Sequence, residues 1–226
     1  MNVLAVDTAT EALGLALRAG EHSRAELVLA GFRHSETLLP HIRRLLADES
    51  LRPADLDLIV CSLGPGSFTG IRIGLAAVKG LAFAARPGGT PVVGVSTLEG
   101  LAWRHRHLPC PVAVVNVTLR RRFHAGLFRR GLLEGDFLEE ELAGLAERLA
   151  AESTLLLAGS GAPRLYELLA ARRGQAGLLL DACPAPADPL GLLEAGLASY
   201  SRHGATPEPA PLYLRKSEAE IHRRGG

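Results

Sequence analysis

Between Ser62 and Gly74 the chain reads Ser-Leu-Gly-Pro-Gly-Ser-Phe-Thr-Gly-Ile-Arg-Ile-Gly, directly after Leu58 to Leu63, an apolar run with the length of a buried strand. Glycines there let backbone N–H groups approach an anion at the start of a helix, so a phosphate cradle is one reading. A tight strand-to-helix turn is the other, because the stretch lacks the Gly-Lys-Ser/Thr ending of a P-loop and the Gly-x-Gly-x-x-Gly spacing of a dinucleotide fold. The second candidate is Asp7-Thr8-Ala9-Thr10, at the end of the first strand-like run. The hydroxyls of Thr8 and Thr10 could meet a phosphate there. Asp and Thr also organise turns by bonding neighbouring backbone, and both readings stay open. A serine hydrolase is dismissed for want of a Gly-x-Ser-x-Gly elbow. A two-metal nuclease of the RNase H-like kind needs carboxylates at several strand ends, and the fourth strand-like run ends in Cys61-Ser62-Leu63.

Metal ligands are scarce. Among the 8 histidines, His34 with His41 and His105 with His107 are the only suggestive pairs. On one helix His34 and His41 would lie two turns apart, about 10 Å, too far to share an ion. Cys61, Cys110 and Cys183 are odd in number and widely spaced, which fits neither a disulfide framework nor a zinc knuckle and reads as a reducing cytosol. With 25 Lys+Arg against 24 Asp+Glu the net charge is +1, so no global field holds a polyanion and any nucleic-acid contact must be local or shared. The chain opens straight into a strand without a basic leader, and Ile73 to Ala85, interrupted by Lys79, falls short of the ~20 apolar residues of a membrane span. Location in the cytoplasm, away from the membrane, is the expectation.

The elements that must position these residues follow from periodicity. Asn2 to Asp7, Ala12 to Arg18 and Ala25 to Ala30 form a three-stranded meander. Leu38, Leu39, Ile42, Leu45 and Leu46 recur at helical spacing from Ser35, a potential cap, to Asp48. The strand, the glycine turn, a helix over Gly70 to Ala85, a strand over Pro91 to Val95 and a helix over Leu98 to Arg106 complete a first unit. From Pro111 the plan repeats: strands Val112 to Val117 and Arg122 to Phe128, a helix Glu139 to Ala151, a strand Thr154 to Ala158, the turn Gly159-Ser160-Gly161, a helix to about Arg172, a strand Gly177 to Leu180 and a helix Leu190 to Ser201. This is an α/β chain with mixed sheets covered by helices. We place one lobe at residues 1–108, a second at 109–216 and a polar tail at 217–226.

The helix over Gly70 to Ala85 carries only Arg72 and Lys79 as charges, so it should be covered on two sides. Gly70, Gly74, Ala77 and Leu81 fall along one line that lets another backbone come close, with Ile71, Leu75, Val78 and Ala82 beside it.

The glycine-rich segment resembles the TsaB family, also called YeaZ. The resemblance extends through Asp7-Thr8-Ala9-Thr10, His34-Ser35, Gly94-Val95-Ser96-Thr97-Leu98, Gly159-Ser160-Gly161-Ala162 and Pro211-Leu212-Tyr213-Leu214-Arg215. It implies a two-lobed fold of the actin, Hsp70 and sugar-kinase superfamily and a non-catalytic role in making threonylcarbamoyladenosine in tRNA. The family's partners would be a metal-bearing TsaD-like catalytic subunit, a TsaE-like ATPase, a second copy of the chain when alone, and tRNA through the complex. Thr97 and Leu101 stand where the TsaD-like paralogue has its two metal-binding histidines, so no metal is expected here. Asn116-Val117-Thr118-Leu119-Arg120-Arg121 stands where nucleotide-using relatives have a Gly-Gly phosphate loop. No cofactor is therefore expected in the isolated chain, with ATP or ADP at the shared interface and Asp7, Thr8 and Thr10 as its contacts. The resemblance further makes the helices 35–48 and 70–85 the docking surface, through His34, Thr37, His41, Gly70, Ile71, Gly74, Leu75, Ala77, Val78 and Leu81. The alternative is a nucleotide-binding enzyme of the sugar-kinase-like or RNase H-like fold.

Overall fold

A computed structural model describes residues 1–31, 33–118 and 122–214. The first half folds as β1 (Val3–Asp7), β2 (Ala12–Ala19), β3 (His22–Leu29), α1 (His34–Asp48), β4 (Leu58–Ser62), α2 (Phe68–Ala85), β5 (Val92–Val95) and α3 (Thr97–Trp103). The second half folds as β6 (Val112–Val117), β7 (Phe123–Arg129), β8 (Leu132–Glu140), α4 (Leu142–Leu149), β9 (Leu155–Ala158), α5 (Ala162–Arg173), β10 (Leu178–Leu180) and α6 (Pro189–His203). Strands are ordered β3-β2-β1-β4-β5 in one sheet and β8-β7-β6-β9-β10 in the other, the same topology twice. In each the first three strands are antiparallel and the last two run parallel to the central one.

Every residue of β1 and β4 is buried, which requires helices on both faces of the sheet. Because side chains alternate along a strand, each splits its residues between two cores. Leu4, Val6, Ile59 and Cys61 pack with Leu38, Ile42 and Leu45 of α1 and Leu75 and Val78 of α2. Val3, Ala5, Leu58 and Val60 pack instead with Leu192, Leu193 and Ala195 of α6. In the second sheet Ala113, Val115, Leu155 and Leu157 meet α4 and α5, whereas Val112, Val114, Leu156 and Ala158 meet Leu98, Leu101 and Ala102 of α3.

The third helices are thus exchanged: α3 covers the second sheet and α6 the first. They cross where a Cβ on Gly191 would stand 2.2 Å from the Gly100 carbonyl oxygen, so glycine is required at the crossing. This amends the boundary drawn near residue 108. The segment after α6 also returns to the first sheet, with the Thr206 N–H on the Val92 carbonyl (2.8 Å), the Gly94 N–H on the Thr206 hydroxyl (3.0 Å) and the Leu212 N–H on the Leu63 carbonyl (2.7 Å).

Three local expectations need correction. Residues Leu132–Glu140 form β8, and the helix expected from Glu139 begins at Leu142. As an edge strand β8 is largely solvated, and its pairing with β7 is irregular between Ala125 and Leu127, so no clean alternation marks it. Helix α1 starts at His34 after Arg33 with no side-chain cap, so Ser35 is already helical. By length and composition α2 would pass for a membrane span, yet its Leu75, Val78 and Ala82 are built into the first sheet's core and Ile71 is buried beside them on the same helix. The tail 217–226 lies outside the described residues.

Candidate functional site

At the carboxyl ends of β1 and β4, Asp7 is fully buried and its Oδ1 accepts the Ala9 N–H at 2.9 Å. Burial holds the Asp7 carboxyl above the usual carboxylate range, opposed by the Ala9 N–H and the hydroxyls of Thr97 and Ser62. The Ser62 and Thr97 hydroxyls lie 2.5 Å apart, and the Gly64 N–H donates to the Ser62 hydroxyl at 3.2 Å. Thr8 donates its hydroxyl to the Gly70 carbonyl at 2.8 Å. The Thr10 hydroxyl meets the Ala12 backbone, and the Thr10 carbonyl accepts from His34 Nε2 at 2.8 Å.

The groups that would hold a nucleotide are therefore committed to holding the protein. The glycine turn seals this end, because the Ser67 N–H donates to the Ala9 carbonyl at 2.6 Å and a Cβ on Gly66 would lie 2.0 Å from that same oxygen. Of the two readings of Gly64–Gly70, the tight turn describes the geometry. Asp7, Thr8 and Thr10 are thus engaged by the protein itself: the Asp7 carboxylate holds the Ala9 N–H, and the Thr8 and Thr10 hydroxyls donate to the Gly70 and Ala12 carbonyls.

Thr97 points its hydroxyl at Ser62, while Leu101 sits in the core under the second sheet, so neither resembles a ligand position. Among the described residues no group of three His, Cys, Asp or Glu side chains could hold a metal ion. Cys61 is inert, its thiol pushed up to about 12 by burial. In the second lobe Asn116 occupies the equivalent strand end: its Oδ1 accepts the Ser160 N–H at 3.0 Å and its Nδ2 donates to the Pro186 carbonyl at 2.7 Å. Leu119, Arg120 and Arg121 of the expected replacement loop lie outside the described residues.

The line of small residues on α2 faces inward, which corrects the docking expectation. A Cβ on Gly70 would stand 2.2 Å from the Thr8 carbonyl, and one on Gly74 would stand 2.2 Å from the Thr8 hydroxyl. The close neighbour that these glycines admit is the turn after β1, not another chain. Leu75 and Val78 are buried in the lobe's own core, Ala77 and Leu81 are half-buried against it, and Ile71 is buried too. His34 is buried as well, while Thr37 caps back onto the Arg33 carbonyl (2.9 Å) and His41 pairs with Glu26 (3.0 Å) at the β3 side of α1.

What these two helices present outward is a different set. Phe83 is 87% and Leu39 53% exposed, and Ala76, Gly80 and Ala84 lie on the same solvent side of α2. At the helix start Phe68 stacks on Tyr213 with centroids 5.0 Å apart, and the Arg72 guanidinium lies 3.8 Å above the Phe68 ring. Arg72 Nε donates to the Tyr213 hydroxyl at 2.9 Å. Sequence reasoning missed Leu39, Phe68, Phe83 and Tyr213. For Phe83 the signal existed, since at 100° per residue it lies about 140° around the helix from Gly70 and about 180° from Gly74. For Tyr213, 141 residues from Arg72, none did.

A family profile described as "TsaD: tRNA N6-adenosine threonylcarbamoyltransferase" matches residues 28–120. The chain is 31% identical over 234 aligned positions to the tRNA threonylcarbamoyladenosine biosynthesis protein TsaB of Bacillus subtilis, covering 97% of this chain and 96% of that one. Against the protein of the same name from Escherichia coli it is 33% identical, over 63% of this chain and 62% of the relative. Among solved structures, YeaZ from Pseudomonas aeruginosa superposes with a TM-score of 0.74 at 29% identity, over 94% of this chain and 99% of that one. A hexokinase of the ROK type from Thermus thermophilus aligns with a TM-score of 0.56 at 16% identity, over 89% and 100% of the two chains, a likeness of fold. The identity along nearly the whole length of both chains, with the matching fold of YeaZ, leads to one conclusion: the chain belongs to the TsaB family of tRNA threonylcarbamoyladenosine biosynthesis proteins.

Proposed function

We propose that this chain is a non-catalytic docking and activating subunit for a TsaD-like threonylcarbamoyltransferase in the cytoplasm, acting on tRNA through that complex. The observation that carries the reading is the exposed apolar face of α1 and α2. The duplicated helices α4 and α5 show no exposed large hydrophobic residue, so the fold does not require one. Phe83 on α2 is 87% and Leu39 on α1 53% exposed, and large apolar side chains of this kind are costly to leave in water and suited to a docking surface. The absence of a fitting cradle at Asp7 supports leaving the chemistry to the partner. In the complex, ATP or ADP would then be held by groups of the partner or of a TsaE-like ATPase, not by Asp7, Thr8 and Thr10.

Reconstitution tests this: the TsaD-like and TsaE-like proteins of the same organism, the threonylcarbamoyl-adenylate donor and tRNA, with and without this chain. Modification should depend on the chain and be lost with Phe83→Asp, while Asp7→Asn should retain it. Equal modification when the chain is omitted would overturn the assignment.

A further inference from the structure

We propose that the cavity between the end of α3 and the first turns of α6 binds a free α-amino acid as its zwitterion, with the carboxylate toward the α3 end and the ammonium toward α6. This goes beyond the docking reading and does not depend on it. Helix α6 packs on the face of the first sheet opposite α1 and α2, so the cavity and the proposed docking face belong to opposite sides of that sheet. The cavity measures about 380 Å³, within the range of small-molecule sites. Trp103, Leu190 and Gly191 give it apolar walls. The Trp103 ring is held in place: it packs on the core formed by α6, a Cβ on Gly131 in the β7–β8 turn would stand 3.0 Å from it, and the Arg106 guanidinium lies 5.1 Å from its centroid.

The two helices bring opposite charges to this space: Arg104 and Arg106 from the end of α3, Asp188 and Glu194 from α6. Each is only partly used by the protein. Arg106 donates one terminal nitrogen to the Trp103 carbonyl at 3.0 Å and has no carboxylate partner among the described residues. Arg104 stands 3.7 Å from Asp188 and 3.8 Å from Asp181, longer than hydrogen bonds. Asp188 gives Oδ1 to the Gly191 N–H at 2.9 Å, and Glu194 gives Oε1 to Arg18. The second oxygen of each carboxylate accepts no hydrogen bond among the described residues.

A simple anion in this space would meet the two carboxylates, and a simple cation the two guanidiniums. A ligand that carries both charges answers both helices, and an α-amino acid holds its carboxylate and ammonium on neighbouring carbons. The guanidiniums supply paired N–H donors that match a carboxylate, and the free Asp188 and Glu194 oxygens accept from an ammonium with three N–H groups. A guanidinium already laid against an indole loses less freedom when it binds. What remains of the wall is Trp103, Gly191 and a 42% exposed Leu190, so the side chain that fits is apolar.

Trp103 is the single tryptophan of the chain, so its fluorescence reports on the cavity directly. Titration of the full chain with L-leucine should change that emission saturably, with the same midpoint by calorimetry. N-acetyl-L-leucine, which lacks the ammonium, and L-leucinamide, which lacks the carboxylate, should each bind about tenfold or more weakly. Glu194→Gln should narrow the gap between leucine and N-acetyl-leucine, and Arg106→Gln the gap between leucine and leucinamide. Asp188 is left in place because it caps α6, and the analogue series on the unaltered protein decides the matter without any variant. N-acetyl-leucine binding as tightly as leucine would overturn the proposal in favour of a simple anion site. Leucinamide binding as tightly would overturn it in favour of a simple cation site. No change in emission or heat with leucine up to about 10 mM would overturn the site altogether, and would leave the docking reading untouched.

Discussion

The two lobes repeat one topology, and they differ in what they do with it. Helix α2 turns Ala76, Gly80, Phe83 and Ala84 to solvent, whereas its counterpart α5 shows Arg164, Glu167 and Arg172. Helix α1 runs 15 residues and α4 only 8. Since both pairs cover equivalent sheet faces, the apolar exterior of the first pair is not a demand of the fold. At the strand ends the contrast runs the other way. Asp7 and Asn116 differ in chemistry yet do similar work, each holding a neighbouring turn through its side-chain oxygen. A duplicated scaffold thus separates what architecture requires from what is added to it: the buried polar ends belong to the architecture and the outer face of α1 and α2 does not.

The sharpest way to break this contrast is on the outer faces. Phe83→Asp should weaken docking of the TsaD-like subunit by about thirtyfold or more, a hot-spot loss of ~2–4 kcal/mol, with the melting temperature unchanged because the side chain touches little of its own lobe. Glu167→Ala, on the matching helix, should alter neither. Calorimetry and thermal melting of both variants decide it, and equal losses would erase the distinction between the lobes.

Gly74→Val sits next in size. Its Cβ would stand 2.2 Å from the Thr8 hydroxyl, so the turn after β1 must shift. Overpacking of this kind costs ~1–3 kcal/mol, which lowers the melting temperature of a chain this size by roughly 2–12 °C. A Gly74→Val protein of unchanged stability that no longer docks would restore the small-residue line as the contact surface.

A smaller effect separates Asp7 from Asn116 by pH. Burial raises the folded pKa of Asp7 above its ordinary value, so its contribution to stability is fully present below that ordinary value and is lost as pH rises through the folded one. Asp7→Asn removes the titration, and its melting temperature should therefore gain on the wild type as pH climbs from about 4 toward neutrality. Asn116 carries no charge to lose, so Asn116→Ala should lower stability by an amount independent of pH over the same interval. A flat difference for Asp7→Asn would mean that the carboxyl is not held as its burial implies.

The smallest change expected is Tyr213→Phe, which keeps the ring on Phe68 and deletes the hydroxyl that accepts from Arg72. The lost bond has a cationic donor but is solvent-exposed, where water replaces it at small net cost, so docking should weaken by only a few fold. Tyr213→Ala, which also removes the stack, should weaken it further.

Much of this molecule is legible before any coordinates exist. Alternation and helical spacing mark most strands and helices, because a strand buried on both faces and an amphipathic helix leave their period in the residues themselves. The repeated order of elements is visible for the same reason. Edge strand β8 escapes, since a solvated strand with irregular pairing has little pattern to leave. The tight turn at Gly64–Gly70 and the poor match of its neighbours to a phosphate loop could also be read locally.

Direction is what local reading lacks. A line of glycines on α2 says that something comes close and cannot say what, and the tertiary structure supplies Thr8 from the end of β1. Whether α3 and α6 cover their own sheets or exchange depends on how two halves pack, which no local period records. The exposed Phe83 and the Arg72–Phe68–Tyr213 stack become a surface only once the rest of the chain has covered the other faces and brought residue 213 back beside residue 72. Periodicity and turn chemistry are set by neighbours in sequence, so the sequence determines them by itself. Which face stays open is set by neighbours in space, and only the folded chain decides it.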